Sequence, residues 1–217
     1  LYETLVRSDW TDWQRELADL AGLPADAVRA AFDRTRDRRT VGENPNARAD
    51  LADVIRKAGG NPDTEMLDVL ERAEAEDFAQ DIELFDDSLP VLRELRARSI
   101  PTALVSNCSH NTAPVTRRLR LAEELDVVIL SFEVRAKKPE PEIYRIALER
   151  LGGPEPANTW FVDDKAIYCD GAAAIGLRTR WLRRPERQPP RPAGVSPDPR
   201  HTVISSLTDV LDEIVTG

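Results

Sequence analysis

Two adjacent carboxylates, Asp163 and Asp164, close the apolar run Phe161-Val162. Like charges side by side repel unless a cation or a donor offsets them. Mg2+ takes a few carboxylates, waters and phosphate oxygens, so the pair reads as a metal site; capping the following helix is the other use of the same residues. Lys138, ahead of Pro139, supplies an ammonium that can neutralise a nucleophile and a phosphate oxygen. Ser106 and Asn107 end the run Leu104-Val105 and offer a hydroxyl and an amide to a phosphoryl oxygen. Each segment has a plain structural use as well. Taken in this order, the three can hold a phosphate and a divalent cation in one place.

The elements that carry these residues follow from periodicity. Between 9 and 86 the pattern is helical and no strand-like run interrupts it. Trp10, Trp13, Leu17 and Leu20 share one face, and Val28, Ala31, Phe32 and Thr35 share another after Pro24. Leu51, Val54 and Ile55 lie on a third helix that stops at Gly59-Gly60, and Asp63 starts a fourth through Met66, Leu67, Leu70 and Ala73. After Asp87 strands and helices alternate. Ser88 is placed to cap a helix. Strands are expected over 102–105, 126–130, 159–162, 178–182 and 201–204. Helices are expected near 113–121, after Pro141, around 171–175 and near 207–215. The Pro/Arg-rich stretch 185–200 reads as a solvated connection. Such alternation implies a parallel sheet covered on both faces, with ligands beyond the carboxyl ends of its strands. Ser106-Asn107 and Asp163-Asp164 both fall there.

Composition narrows the function classes. The 217 residues carry 30 basic and 39 acidic side chains, a formal charge of −9. That balance excludes nucleic acid as the main partner, since a phosphate backbone wants a basic face. No run reaches the ~20 apolar residues of a membrane span, and the chain reads as cytoplasmic. Cys108 and Cys169 match no metal spacing and are expected as reduced thiols. His110 and His201 show no partner carboxylate at a telling spacing, though His110 lies just past Asn107, near the cleft. The absence of G-x-S-x-G excludes a serine-elbow hydrolase.

With these motifs in hand, the chain resembles the haloacid dehalogenase-like hydrolase superfamily. Ser106 matches the Ser/Thr that closes the second strand, Lys138 the lysine before proline, and Asp163-Asp164 the acidic pair, continued in register by Gly171-Ala172 and Gly176. The resemblance implies an α/β fold: a Rossmann-like parallel sheet with helices on both faces, formed by residues 1–8 and 88–217, plus an inserted α-helical cap over 9–87. Leu1-Tyr2-Glu3-Thr4-Leu5 matches the tail of the family's first motif, so the nucleophilic Asp is expected immediately before Leu1, on a central first strand. The resemblance also implies that the Tyr2 carbonyl, Asp163 and Asp164 bind Mg2+, that Ser106, Asn107 and Lys138 orient the phosphoryl oxygens, and that Thr4 supports the nucleophile loop.

Two positions depart from the family's phosphatases. Tyr2 stands where they place an Asp general acid, and a phenol is a poor acid near neutral pH. Tyr168 stands where many carry a further Asp. The leading expectation is a Mg2+-dependent phosphatase of a small-molecule phosphorylated substrate, working as a monomer or homodimer. The alternative is a 2-haloacid dehalogenase, which shares Tyr2, Ser106, Asn107 and Lys138 but needs no metal. Arg34, Arg36, Arg38 and Arg39 lie where such enzymes draw a halide-binding arginine; the same cluster can grip a substrate carboxylate or face water. A third expectation is an inactive binding module, should the Asp be absent.

Overall fold

The computed structural model describes residues 1–185 and 200–215. It opens with a tight turn. The Leu1 carbonyl accepts from the amides of Leu5 and Val6, at 2.8 and 3.1 Å. Strand β1 (Val6–Arg7) follows, then four helices: α1 (Trp10–Leu20), α2 (Ala25–Thr40), α3 (Ala47–Lys57) and α4 (Thr64–Ala73). Side-chain caps fix three of their starts, from Asp9, Asn46 and Asp63, while Pro24 precedes the other. A π-helical turn, Glu74–Phe78, runs into the short α5 (Ala79–Asp81).

Strand β2 (Glu83–Leu84) then pairs antiparallel with β1, Val6 opposite Leu84. This ribbon corrects the expectation of an uninterrupted helical block, and it ties both ends of the block together. Leu20, expected on the packed face of α1, is instead exposed, and Ala18 is buried.

The remaining elements are α6 (Ser88–Ala97), β3 (Ala103–Ser106), α7 (Thr112–Arg118), α8 (Leu121–Glu124), β4 (Val127–Leu130), α9 (Ser131–Val134), α10 (Pro141–Arg150), β5 (Trp160–Asp163), α11 (Ala166–Ala173), β6 (Arg178–Leu182), β7 (Thr202–Ile204) and α12 (Thr208–Val215). Ser88 does not cap α6. It lies inside the helix, buried, and its hydroxyl donates to the Leu5 carbonyl at 2.7 Å. The helix expected over 113–121 breaks at Arg120, whose φ is positive. The one expected near 171 begins five residues earlier, at Ala166. Of the 185–200 connection, residues 186–199 lie outside the described residues.

The parallel pairing is as expected, with Ser106 opposite Leu130 and Asp163 opposite Trp181. Period-two alternation sends Leu104, Val128, Trp160 and Val162 to one face and Val105, Val127, Ile129 and Phe161 to the other. Helices α10 and α11 cover the second face. Among the described residues, however, the strands form β3-β4 and β5-β6-β7 as separate sheets. Between β3 and β5 lies an apolar slot of about 530 Å3, walled by α10, α6 and α12. No helix among the described residues is long and apolar enough to cross a membrane.

Candidate active site

The carboxyl ends of β3 and β5 face each other across the mouth of the slot, and Lys138 bridges them. Its ammonium donates to Asp163 Oδ2 at 2.6 Å and to the Val105 carbonyl at 3.0 Å. Both partners of the ion pair are buried, at 5% and 4% side-chain exposure. The rings of Tyr168 and Phe161 flank the same ammonium, at 4.9 and 5.7 Å. An ammonium has three N–H donors, so one remains for a ligand oxygen beside these two bonds.

The acidic pair divides its work. Asp163 is spent on Lys138 and on the Lys165 amide, which donates to Oδ1 at 2.9 Å. Asp164 points elsewhere, accepting from the Thr4 hydroxyl at 3.3 Å. Burial, then the neighbouring Asp163 charge, pushes its carboxyl up to about 6. A carboxylate so placed gains from a cation, which fits the Mg2+ expectation. Among the described residues no three His, Cys, Asp or Glu side chains cluster as a metal site. A metal here would therefore need backbone oxygen, water or substrate oxygen beside Asp164.

Asn107 serves the lysine loop. Its Oδ1 accepts from the Lys138 amide at 2.7 Å and its Nδ2 donates to the Lys138 carbonyl at 2.8 Å. Nδ2 also reaches the Tyr168 hydroxyl at 3.3 Å. The expected phosphoryl donor is thus a splint that registers Lys138. Ser106 is buried at the end of β3. Gly171 packs against Pro139 so closely that a Cβ would overlap the Pro139 carbonyl oxygen. That contact explains the glycine that follows the acidic pair.

The first turn is anchored from several sides. Arg184 donates to the Thr4 carbonyl and to Asp87, each at 2.8 Å. The amino end of Leu1 is buried among Lys138, Asp163, Asp164 and Cys108. The Tyr2 side chain turns away from the acidic pair. Its hydroxyl pairs with Thr112 Oγ1 at 3.0 Å and its ring meets Trp10 edge-on at 5.1 Å. Burial drives the phenol far above its ordinary range, so it does not ionise near neutral pH.

The helical block touches this centre at a few points. Asp37 accepts from Lys137 at 2.6 Å, next to Lys138. His110 Nδ1 and Asp50 Oδ2 are 2.8 Å apart, three residues past Asn107. Arg39 is buried and approaches the Ser109 hydroxyl at 3.4 Å. A Cβ on Gly42 would overlap the Phe132 carbonyl oxygen. The expected arginine cluster is thereby split. Arg36 and Arg38 pair with acids of the same block, Arg34 with its own helix, and Arg39 alone of the four reaches across. Both histidines have carboxylate partners that sequence spacing does not reveal: Asp50 for His110, and Asp170 for His201 at 3.0 Å. Cys108 and Cys169 are free and buried.

Residues 1–176 match the haloacid dehalogenase-like hydrolase family. The chain belongs to that family. Its curated relatives divide between two chemistries. It is 25% identical over 215 residues to a protein named Phosphatase MT3486 from Mycobacterium tuberculosis, covering 96% of this chain and 92% of the relative. It is 28% identical over 151 residues to (S)-2-haloacid dehalogenase 1 from a Pseudomonas species, covering 67% of this chain and 64% of the relative, so it spans somewhat under two thirds of that protein. Among solved structures, a family enzyme from Bacteroides thetaiotaomicron in complex with magnesium and inorganic phosphate has the same fold, with a TM-score of 0.68 at 18% identity over 84% of this chain and 91% of that one. The L-2-haloacid dehalogenase from Xanthobacter autotrophicus does too, at 0.64 and 21%, over 100% and 96%. The hydrolase class rests on the family match, and the α/β fold on the structural likenesses and the parallel pairing.

Proposed function

We propose that the chain is a Mg2+-dependent phosphatase of small phosphomonoesters. The carrying observation is the division of labour in the acidic pair. Asp163 is neutralised by Lys138, while Asp164 is buried, pushed up to about 6 and held toward Thr4. A dehalogenase gains nothing from an uncompensated acid beside an anionic substrate. A phosphatase can use it to hold a cation.

The nucleophile in this reading is an Asp immediately preceding Leu1, whose carboxylate would enter the site between Lys138 and Asp164. It attacks phosphorus, the ester oxygen departs, and water hydrolyses the aspartyl-phosphate. Asp164 and the Tyr2 carbonyl would hold Mg2+, which when bound offsets charge on the phosphoryl oxygens. The unused N–H of Lys138 and the Ser106 hydroxyl orient those oxygens. Asn107 keeps Lys138 in register, and Thr4 orients Asp164. The helical block 9–87 acts as a cap whose contacts beside Asn107 and Lys138 shield the centre from water.

The second reading, 2-haloacid dehalogenase, is favoured by Tyr2 and by the Pseudomonas relative. One assay separates them. Protein carrying the preceding Asp is offered 4-nitrophenyl phosphate and, separately, L-2-chloropropionate, each with Mg2+ and with EDTA. Phosphate release abolished by EDTA is expected. Chloride release that survives EDTA, without phosphate release, overturns the phosphatase reading.

A further inference from the structure

The phosphatase reading accounts for one end of the substrate, the phosphoryl group, and leaves the other end unassigned. We propose that Lys165 is a specificity-determining residue that binds a carboxylate at that other end, so that the preferred substrate is a short phosphorylated hydroxy acid. The assignment rests on the phosphatase reading.

Lysine is scarce in this chain. Four of its 30 basic residues are lysines: Lys57, Lys137, Lys138 and Lys165. Arginine supplies the rest of the positive charge, yet three of the four lysines stand at the candidate centre. Two of them are engaged, Lys138 by Asp163 and Lys137 by Asp37. Lys165 follows the acidic pair directly and is exposed. Its amide donates to Asp163 Oδ1 at 2.9 Å, which pins the root of the side chain at the end of β5. Among the described residues its ammonium forms no ion pair, in a chain with 39 acidic side chains. Asp164 is the adjacent acid and feels the Lys165 charge. In the phosphatase reading Mg2+ takes up that carboxylate, which leaves the ammonium to the substrate.

Tyr168 sets where the ammonium stands. Lys165 Nζ lies 5.3 Å from the centre of the Tyr168 ring, and Lys138 Nζ lies 4.9 Å from the same point. The two ammoniums are therefore no more than about 10 Å apart. The ring is held from its far end, where the hydroxyl meets Asn107 Nδ2 at 3.3 Å. At an exposed site a cation–π contact is worth about 0.5–1 kcal/mol. That is enough to park Lys165 over the ring and too little to compete with a charge-assisted hydrogen bond. A lysine suits the task, since its three donors turn freely on a flexible stem.

The spacing bounds the ligand. A charge-assisted N–H···O contact takes about 2.8 Å at each end. With a phosphoryl oxygen on Lys138 and a carboxylate oxygen on Lys165, a ligand lying between them spans at most roughly 4–5 Å from oxygen to oxygen. Bonds of about 1.5 Å fill that span with a skeleton of two or three carbons.

The test uses two esters that differ only at the far end, 3-(phosphonooxy)propanoate and n-propyl phosphate, with Mg2+ and with protein carrying the preceding Asp. The ratio of their kcat/KM values is measured for the parent, for Lys165→Met and for Lys57→Met. Any difference between the two leaving groups is common to all three proteins, and so is any loss of folded protein within one preparation. The parent is expected to favour the carboxylate ester, and Lys165→Met to lower the ratio about 10-fold. Lys57→Met is expected to leave the ratio where it was. A ratio unmoved by Lys165→Met overturns the proposal, as does an equal fall in both variants, which would mark a general effect of net charge. A parent that turns over neither ester nor 4-nitrophenyl phosphate overturns the phosphatase reading and the proposal with it, whereas turnover with an unmoved ratio overturns the role of Lys165 alone.

Discussion

Replacing Asp163 by Asn tests the centre most directly. The change leaves the Lys138 ammonium buried, with the Val105 carbonyl as its remaining strong partner. Breaking a buried pair by removing one charge costs about 3–5 kcal/mol. At roughly 2–4 °C per kcal/mol for a chain of this size, Tm falls by about 6–20 °C. Removing both charges, as Lys138→Met with Asp163→Leu, takes away the uncompensated ion and recovers most of that loss. The assay is guanidinium unfolding followed by tryptophan fluorescence, with Trp160 and Trp181 close to the pair in sequence and sheet. A loss below about 1 kcal/mol for the single change, or a double variant equal to the sum of the singles, refutes the claim that this pair is a buried, coupled unit.

Further outcomes follow from the same geometry. Asp164 is raised from 3.8 to about 6 on folding, so its contribution to stability is complete below 3.8 and is lost as pH rises through 6. A cation relieves the ionised form, and MgCl2 is expected to raise Tm more at pH 8 than at pH 5; equal shifts in thermal scans count against a metal at Asp164. Arg184→Gln removes the buried pair with Asp87 and the bond to the Thr4 carbonyl, with an expected loss of about 3–5 kcal/mol in denaturant titration. Gly42→Ala puts a methyl at positive φ and into the Phe132 carbonyl, which costs about 1–3 kcal/mol; a neutral result there means that the block does not dock as described.

Sequence conveyed the order of elements well because the pattern is regular. The alternation of Leu104 with Val105, and of Phe161 with Val162, predicts strands whose two faces are both buried, and both are. Pairing of individual polar groups was less legible. Asp50 and His110 stand sixty residues apart, so their bond depends on how the block folds back. Ser88 has the chemistry of a helix cap, but the Leu5 carbonyl reaches its hydroxyl first. Asn107 has the right type and place for a phosphate donor, and only the path of the lysine loop shows its amide occupied. The β1–β2 ribbon escaped notice because two residues per strand carry no periodicity.

The contacts made by the helical block have a mechanical corollary. Lys137 abuts Lys138, and Ser109 and His110 follow Asn107 within three residues. Lifting the block therefore tugs on the very loops that register the ammonium. Under the phosphatase reading, linkage couples the two: an anion that steadies those loops also favours the docked block, and a substitution that weakens the docking lowers affinity for the anion.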